Sequence, residues 1–356
     1  MKNVALLTVG RSDYGMLVPV YHALRERDVN ATFYVGGTHT DPRYGGSVSE
    51  ILQDGVEISA IWNQPQVNDP LDYAHAFGLM MENVTAQLTG ARPPDGLVLL
   101  GDRWEMLAAA VAALPCRVPV VHLHGGEVTR GVIDNQLRAA LTKVAHLHCV
   151  AMDAHARGVV ALGEEAWRIH VTGSPALDRI QALWPPPKRE HLALVLYHAE
   201  TLSAPDYGER VRLLYDAVRA WDRTIRILTL YPGADVGHRR IIENLSDDAV
   251  TSLTHDEFLR TLYRARVMIG NSSAGLIEAP WAALPVVNVG DRQAGRLRGA
   301  NVLDAEWNAE SLQKALERAD SLSLAYGTSP YGDGHAAPQI ADVITQPYDR
   351  DTLIRK

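Results

Sequence analysis

The most informative stretch of this chain is VMIGNSSAGLIE (residues 267–278), which runs from an apolar strand through a small polar turn into a helical pattern. Gly270 and Asn271 are small enough for a ligand to approach the backbone, and a serine such as Ser273 is a preferred helix N-cap. A helix that begins near Ala274 would point free N–H groups and its positive dipole end at the turn. The turn is therefore a candidate phosphate site, although an ordinary capped turn has the same pattern.

A carboxylate follows this turn. Glu278 lies more than one turn into the predicted helix 274–283. Its negative charge would repel a phosphate, whereas ribose hydroxyls beside the phosphates could donate hydrogen bonds to it. The stretch is consistent with a ligand that carries both groups.

Apolar strands and helical patterns alternate over most of the chain, which predicts parallel sheets covered by helices on both faces. Seven strands are predicted between residues 3 and 173, and five between residues 192 and 289, one of them at 249–253. The predicted fold class is therefore α/β with two Rossmann-like domains.

A proline-rich stretch, WPPPKRE (184–190), separates the two series of strands and is the one good linker candidate. It predicts a first domain at 1–180 and a second at 181–337. The segment 338–356 is expected to pack back on the first domain. A cleft between two such domains is where ligands of α/β proteins usually bind.

The composition is that of an ordinary globular protein, with 47% hydrophobic and 21% charged residues in a chain of 356. The net charge of −8 argues against general nucleic-acid binding, which usually needs a basic face. The first residues pass directly into a strand pattern, and no apolar run has the length of a membrane span. Cys116 and Cys149 lie in apolar stretches, where buried thiols are expected. We therefore expect a cytoplasmic protein with no membrane or nucleic-acid partner.

The first predicted domain places an acid and a base directly after a strand. The strand at 96–101 is followed by Asp102 and Arg103. The carboxyl ends of parallel strands are where α/β proteins collect functional groups. The alternative for Asp102 is a structural cap on the next helix.

The next strand ends in HLHGGE (122–127), and Asp134 and Arg138 follow on the next predicted helix. The two histidines share one face of the strand because side chains alternate, and the two glycines would let Glu127 turn back towards them. A metal site is one interpretation of this cluster, but neither a zincin spacing nor a thiolate supports it. Acid–base chemistry by carboxylates is favoured.

Other strand ends carry groups that could contact a phosphate or a sugar. The first strand ends in GRSDY (10–14), which lacks the G-x-G-x-x-G signature, so no nicotinamide or flavin cofactor is expected. Arg11 could bind a phosphate or a sugar hydroxyl, or it could be solvated. In the second domain His198, Asp235 and Arg292 follow predicted strands.

Four motifs, in this order, resemble those of the hydrolysing UDP-N-acetylglucosamine 2-epimerases, and two shorter matches extend the resemblance over nearly the whole chain. The four are GDRWEMLA (101–108), HLHGGE (122–127), GNSSAG (270–275) with Glu278, and GDRQAGR (290–296); the shorter two are GRSDY (10–14) and GTH (37–39). Each motif is weakly specific alone, and the set is highly specific.

The resemblance implies two Rossmann-like domains of glycosyltransferase-B type with the active site in the cleft between them. It also implies that UDP-N-acetylglucosamine and water give N-acetylmannosamine and UDP through a glycal, without a metal or other cofactor, as a step towards sialic-acid-type sugars. Proton removal and return on opposite faces of C2 require at least two acid–base groups. The family is often oligomeric, so a homodimer is expected.

By position, Asp102 and Asp134 match the catalytic aspartates of the family. His124 stands where well-studied members have a catalytic glutamate. A histidine can still exchange protons near neutral pH, and Glu127 is close in sequence, so both join the expected catalytic set. The positions expected to bind the nucleotide are Arg11, His198, Ser272, Ser273, Glu278 and Arg292, and those expected to contact the rest of the substrate are Arg103 and Arg138.

Other activities stay open. Related hydrolysing enzymes act on UDP-linked 2,4-diacetamido-6-deoxy sugars or on GDP-linked N-acetylglucosamine, and no motif separates these substrates. The non-hydrolysing 2-epimerases carry Gly-Asp-Thr in place of residues 101–103 and lack the Gly-Gly-Glu, so they are disfavoured. A glycosyltransferase of the same fold is a further alternative. A catalytically silent nucleotide-sugar sensor, which His124 partly supports, is the last.

Overall fold

The computed structural model describes residues 1–67, 69–203 and 205–356. They form two compact units, each with its own parallel sheet, which confirms the predicted α/β class with two Rossmann-like domains. Unit 1 consists of Met1–Glu127, Asp134–Arg179 and Gly334–Lys356, and unit 2 consists of Val128–Ile133 and Ile180–Asp333. Within the described ranges, no helix is both long and apolar enough to cross a membrane.

The strands are β1 (Asn3–Thr8), β2 (Asn30–Val35), β3 (Ile58–Ile61), β4 (Gly96–Leu100), β5 (Val120–Leu123), β6 (Leu147–Val150), β7 (Ile169–Val171), β8 (Leu192–Leu196), β9 (Arg226–Thr229), β10 (Val267–Gly270), β11 (Val286–Val289) and β12 (Val302–Ala305). The helices are α1 (Arg11–Arg25), α2 (Val48–Gln53), α3 (Pro70–Leu88), α4 (Trp104–Ala113), α5 (Asp134–Val144), α6 (Asp153–Ala161), α7 (Pro175–Gln181), α8 (Tyr207–Trp221), α9 (His238–Ile242), α10 (His255–Arg264), α11 (Ala274–Ile277), α12 (Ala309–Ala319), α13 (Ala336–Thr345) and α14 (Arg350–Ile354). Short 3-10 turns lie at Gly37–Thr40, Pro42–Tyr44 and Ala166–Arg168.

The sheet of unit 1 has seven parallel strands in the order β3-β2-β1-β4-β5-β6-β7. Consecutive side chains of a strand point to opposite faces. In β1, Leu6 accordingly joins a core that includes residues of α1 and α13, whereas Leu7 joins one that includes residues of α3 and α4. Both faces are therefore covered, which explains why the strands are apolar runs and not alternating patterns.

The sheet of unit 2 has five parallel strands in the order β12-β11-β10-β8-β9. The central strands β8 and β10 are neighbours, with Leu196 opposite Gly270. The polar residues that follow these two strands, beginning with His198 and Asn271, consequently lie side by side at one edge of the sheet.

Two predicted elements of unit 2 differ from the structure. The strand expected at 249–253 makes one isolated bridge, from Val250 to Leu230, because the chain then turns into the capping box at Thr254 that starts α10. The helix expected at 274–283 ends at Ile277, since Pro280 follows it and a proline disfavours helical backbone in the residue before it.

The chain does not divide linearly between the two units. Gly334–Lys356 belongs to unit 1, where the buried guanidinium of Arg168 donates to the main-chain oxygens of Thr352, Leu353 and Arg355. In the other direction, the short segment Val128–Ile133 belongs to unit 2, although its flanking residues belong to unit 1. A single boundary in the sequence therefore does not describe how the chain is divided between the two units.

Candidate active site

In unit 1, four of the predicted site residues come together after β4 and β5, which are neighbouring strands with Leu100 opposite Leu123. The chain leaves β4 through Gly101, whose φ of +80° suits glycine. The guanidinium of Arg138, which is 2% exposed, forms an ion pair with Asp102 and donates to the main-chain oxygen of Glu127 at 3.0 Å. One buried cation therefore holds the residues that follow both strands.

His124 is fixed within the same group. Its backbone has a φ of +62°, its Nδ1 lies 3.1 Å from Oε1 of Glu127, and its Nε2 lies 2.9 Å from Oγ of Ser174. His155 lies further from the same carboxylate oxygen, at 3.9 Å. We call Asp102, His124, Glu127 and Arg138 the acid–base cluster. Because both ring nitrogens of His124 contact protein side chains, this histidine is arranged as a partner of Glu127.

His122, the first histidine of the same motif, has a different environment. Its Nε2 donates to the main-chain oxygen of Gly101 at 2.8 Å, and its Nδ1 lies 3.3 Å from the hydroxyl of Thr142. Burial lowers the pKa of His122 to about 3, so the ring is neutral. His122 thus supports the turn that carries Asp102, a role that the strand pattern alone could not indicate.

Arg103 pairs with an acidic residue at the start of α4. Its guanidinium forms a salt bridge with the buried Glu105 at 3.1 Å. Both side chains act electrostatically on Asp13, in the first turn of α1. Burial raises the pKa of Asp13 to about 6, while Arg103 lowers it and Glu105 raises it further. Asp13 lies in the GRSDY segment that the sequence singled out, but the sequence analysis assigned it no role.

Asp134 and Arg11 each begin a helix of unit 1. Asp134 is the first residue of α5 and is half-buried. Its charge reaches Tyr73 on α3, where burial, followed by Glu105 and Asp134, raises the pKa of the phenol to about 12. Arg11 is the first residue of α1 and pairs with Glu50 at 3.1 Å. The structure therefore places Arg11 in unit 1, whereas the other five predicted nucleotide-binding residues are in unit 2.

In unit 2, Asn271 holds His198 through the main chain. The side-chain Oδ1 of Asn271 accepts from N–H of His198 at 2.7 Å, and its Nδ2 donates to the oxygen of His198 at 3.0 Å. Nδ1 of His198 accepts from N–H of Gly233 at 3.0 Å, so a neutral ring carries its proton on Nε2. Burial, followed by the charge of Arg292, lowers the pKa of His198 to about 3. The ring is therefore a neutral Nε2–H donor.

Arg292 lies in the segment GDRQAGR (290–296), which we call the nucleotide loop because Arg292 is predicted to bind the nucleotide. Its guanidinium donates to the main-chain oxygens of Ala199 at 3.3 Å and Asn271 at 3.4 Å, and lies 3.4 Å from the carboxylate of Asp235. The next residue, Gln293, also donates to the oxygen of Asn271, at 2.8 Å. These bonds bring Arg292, His198 and the turn after β10 together. The side chain of Asn271, which bonds to the main chain of His198, has a role that the sequence analysis did not assign.

The turn after β10 has the predicted residues but a shorter helix. Oγ of Ser272 accepts from N–H of Ala274 at 3.3 Å, and Ser273 is the residue before α11. Because α11 is a single turn, its dipole is smaller than the sequence led us to expect. Glu278 is buried at the end of α11, and not beyond its first turn as predicted.

A metal site was one interpretation of the histidines and carboxylates in and after HLHGGE (122–127). Across residues 1–67, 69–203 and 205–356, no three or more His, Cys, Asp or Glu residues are arranged so that they could hold a metal ion. The pairs described above are hydrogen bonds and ion pairs among protein groups.

The two units define a protein of glycosyltransferase-B type. The crystal structure of UDP-GlcNAc 2-epimerase from Neisseria meningitidis bound to UDP-GlcNAc is similar, with a TM-score of 0.78 over 96% of this chain and 99% of that chain, at 15% sequence identity. The sequence model of the family described as UDP-N-acetylglucosamine 2-epimerase matches residues 22–345. The chain therefore belongs to the UDP-N-acetylglucosamine 2-epimerase family, which confirms the resemblance seen in its motifs.

Two relatives are similar over nearly their whole length. A protein of Legionella pneumophila named UDP-N,N'-diacetylbacillosamine 2-epimerase (hydrolyzing) is 32% identical, over 94% of this chain and 93% of the relative. The UDP-N-acetylglucosamine 2-epimerase of Neisseria meningitidis is 28% identical, over 98% of this chain and 96% of the relative. The names of these two relatives refer to UDP-linked substrates that differ in the sugar.

Proposed function

We propose that this protein is a hydrolysing nucleotide-sugar 2-epimerase that converts UDP-N-acetylglucosamine and water into N-acetylmannosamine and UDP. The observation that carries the proposal is the buried guanidinium of Arg138, which joins Asp102 to the main chain of Glu127. Two carboxylate residues are thereby fixed next to each other after neighbouring strands. Inversion at C2 requires one group that removes a proton and another that supplies one on the opposite face.

The proposed reaction has two steps. In the first, a base takes the proton from C2, the electrons of that C–H bond form a C1–C2 double bond, and the bond from C1 to the diphosphate oxygen breaks with its electrons on UDP. In the second, water adds its hydroxyl to C1 of this glycal while a proton is delivered to the other face of C2. The products are the free 2-epimer and UDP.

The acid–base cluster supports the proton transfers. We assign the carboxylate of Asp102 to one face of C2, oriented by Arg138, and that of Glu127, held by His124, to the other. Asp134 is the third proposed catalytic residue, since it matches a catalytic aspartate of the family. Arg103 and Arg138 are proposed to contact the sugar as well.

Departure of UDP requires its negative charge to be stabilised in the transition state. The guanidinium of Arg292 and the Nε2–H of neutral His198 are the proposed donors, with the turn at Ser272 and Ser273 as a third source. Because α11 is short, we assign the larger share to Arg292. Glu278 is proposed to accept from the ribose, and Arg11 to contact the nucleotide from unit 1.

The identity of the sugar is the least constrained part of the proposal. The relative with 32% identity is named for UDP-N,N'-diacetylbacillosamine, so a UDP-linked 2,4-diacetamido-6-deoxy sugar is the first alternative substrate. A GDP-linked N-acetylglucosamine is the second. Each would use the same proton chemistry at C2, because both carry the acetamido group and the leaving diphosphate at the same positions.

The purified protein should be incubated with each of these nucleotide sugars, without any acceptor, and the products separated and identified. The proposal predicts UDP and N-acetylmannosamine from UDP-N-acetylglucosamine, at the highest kcat/KM of the panel. If the protein turns over only another nucleotide sugar of the panel, the proposed reaction stands and the proposed substrate is wrong. Product formation that requires an acceptor would favour a glycosyltransferase, and binding without products would favour a sensor.

A further inference from the structure

Residues 128–133, which we call the strap, connect two proposed catalytic residues, Glu127 and Asp134. The strap packs within unit 2, although the residues on either side of it belong to unit 1. N–H of Arg130 donates to the main-chain oxygen of Ala294 at 2.9 Å. The strap is thereby hydrogen-bonded to the nucleotide loop.

The strap and the nucleotide loop pack closely at two glycines, Gly131 and Gly295. A Cβ added to Gly131 would lie 2.4 Å from the main-chain oxygen of Asp291 and 2.9 Å from Cα of Arg292. On the other side, a Cβ added to Gly295 would lie 3.1 Å from Cγ1 of Val128. The two backbones are therefore in direct contact next to Arg292.

A second anchor holds the end of the strap. N–H of Ile133 donates to Oγ1 of Thr201 at 3.1 Å, and Asp134, the first residue of α5, is next in the chain. Thr201 is half-buried and lies two residues after Ala199, whose oxygen accepts from Arg292. The first residue of α5 thus directly follows a residue that is hydrogen-bonded within unit 2.

We propose that the strap is a positioning element that transmits nucleotide binding at Arg292 to the proposed catalytic residues at its two ends, with Thr201 as its positioning residue. A diphosphate on Arg292 restrains the nucleotide loop, the loop restrains the strap through Ala294, and the strap fixes where Asp134 begins α5. The inference rests on the proposed function, because it takes Arg292 as a nucleotide ligand and Asp134 as a proton-transfer residue.

The first test replaces the acceptor at Thr201. In Thr201→Val the shape is kept and the bond to Ile133 is lost, so kcat should fall about fivefold while the Kd for UDP stays within twofold, since one hydrogen bond is removed away from the nucleotide. Thr201→Ser should restore kcat. Thr328→Val is the control and should leave both values unchanged, because Thr328 is an exposed threonine of the same unit that donates to a carbonyl three residues away. An unchanged kcat in Thr201→Val, or no recovery in Thr201→Ser, would overturn the proposal.

The second test does not depend on turnover. Hydrogen–deuterium exchange of peptides that cover the strap should slow several-fold when the wild-type protein is saturated with UDP, and the strap should respond less in Thr201→Val. If UDP binds and exchange of the strap is unchanged, the strap proposal is wrong and the proposed function stands. If UDP does not bind at all, the proposed function fails and the strap proposal fails with it.

Discussion

Arg138 is the residue on which the acid–base cluster depends, because it pairs with Asp102 and with the main chain of Glu127. A buried guanidinium without its carboxylate is strongly unfavourable, so Asp102 and Arg138 stabilise each other in this position. The arrangement gives Asp102 two functions, one in the fold of unit 1 and one in the proposed chemistry. Tests of Asp102 therefore need a substitution that keeps its shape.

Asp102→Asn removes the charge and keeps the size of the side chain. We expect kcat to fall by at least about 100-fold, because a positioned acid–base group contributes on that scale, while UDP binding changes little. Asp153→Asn is the control, since it makes the same change at an exposed aspartate of unit 1, in the first turn of α6. Full turnover by Asp102→Asn, measured as UDP release, would contradict the role of Asp102.

Asp13 should make stability depend on pH. Its pKa is raised from 3.8 to about 6, so between these values the folded chain binds more protons than the unfolded chain, and stability falls as the pH rises. Asp13→Asn lacks this titration. The free energy of unfolding of Asp13→Asn, relative to wild type, should rise by roughly 2–3 kcal/mol between pH 4 and pH 7. Urea unfolding at several pH values measures this difference, and a constant difference would show that Asp13 is not buried as described.

Motif patterns select the residues of the candidate site but do not indicate their hydrogen-bond partners. Asp102 and Glu127 are visible in the sequence because they follow apolar strands. His122 and Asn271 were passed over because their roles are bonds to main-chain atoms distant in sequence, such as Gly101 and His198. A residue's type and spacing do not specify such a bond. It depends on the register of neighbouring strands.

The turn after β10 shows what local sequence can and cannot specify. The pattern of strand, small polar turn and helix is present as predicted. Its helix is shorter, because Pro280 ends the helical backbone before Glu278 can lie beyond the first turn. The predicted anion site at a helix N-terminus thus becomes a turn supported by Arg292 and Asn271.

Gly270 is required by this turn. Its φ is +143°, and an added Cβ would lie 2.0 Å from the main-chain oxygen of Leu196 on β8. Gly270→Ala should therefore destabilise unit 2 by about 3 kcal/mol, because the backbone or the strand pair must shift. Gly78→Ala is the control of opposite sign: a Cβ at this exposed position in α3 meets nothing within 4 Å, and the change should stabilise by up to about 1 kcal/mol. Thermal unfolding of both variants measures these changes. An unchanged stability of Gly270→Ala would contradict the geometry of the turn.

Buried neutral histidines should make the whole molecule less stable as the pH falls. Burial lowers the pKa of His39, His122 and His198 to about 3 and that of His146 to about 4. As the pH falls below about 6.5, the unfolded chain takes up protons that the folded chain does not, so stability decreases.

His146→Asn tests this prediction. Nδ1 of His146 accepts from N–H of Val120 at 3.1 Å, and an asparagine oxygen can take over that acceptor role. The decline of Tm between pH 6.5 and pH 4.5 should be less steep in His146→Asn than in wild type, whereas His75→Asn, on an exposed residue, should leave the slope unchanged. Equal slopes in all three proteins would contradict the prediction.

The two-domain α/β architecture could be predicted because apolar strands and amphipathic helices carry local periodicity. The edge strand β12 and the single bridge at Val250 could not, since strand pairing at an edge depends on contacts distant in sequence. The position of the strap could not be predicted either, because nothing in the composition of residues 128–133 shows that they pack within unit 2. Long-range packing decides these features.

Turnover of UDP-N-acetylglucosamine in deuterated water tests the proposed epimerisation most directly. Reprotonation at C2 from a group that exchanges with solvent should give free N-acetylmannosamine with deuterium at C2 and an equal amount of UDP, both measurable by NMR. Formation of the same sugar with the original hydrogen at C2 would contradict proton removal and return by the acid–base cluster.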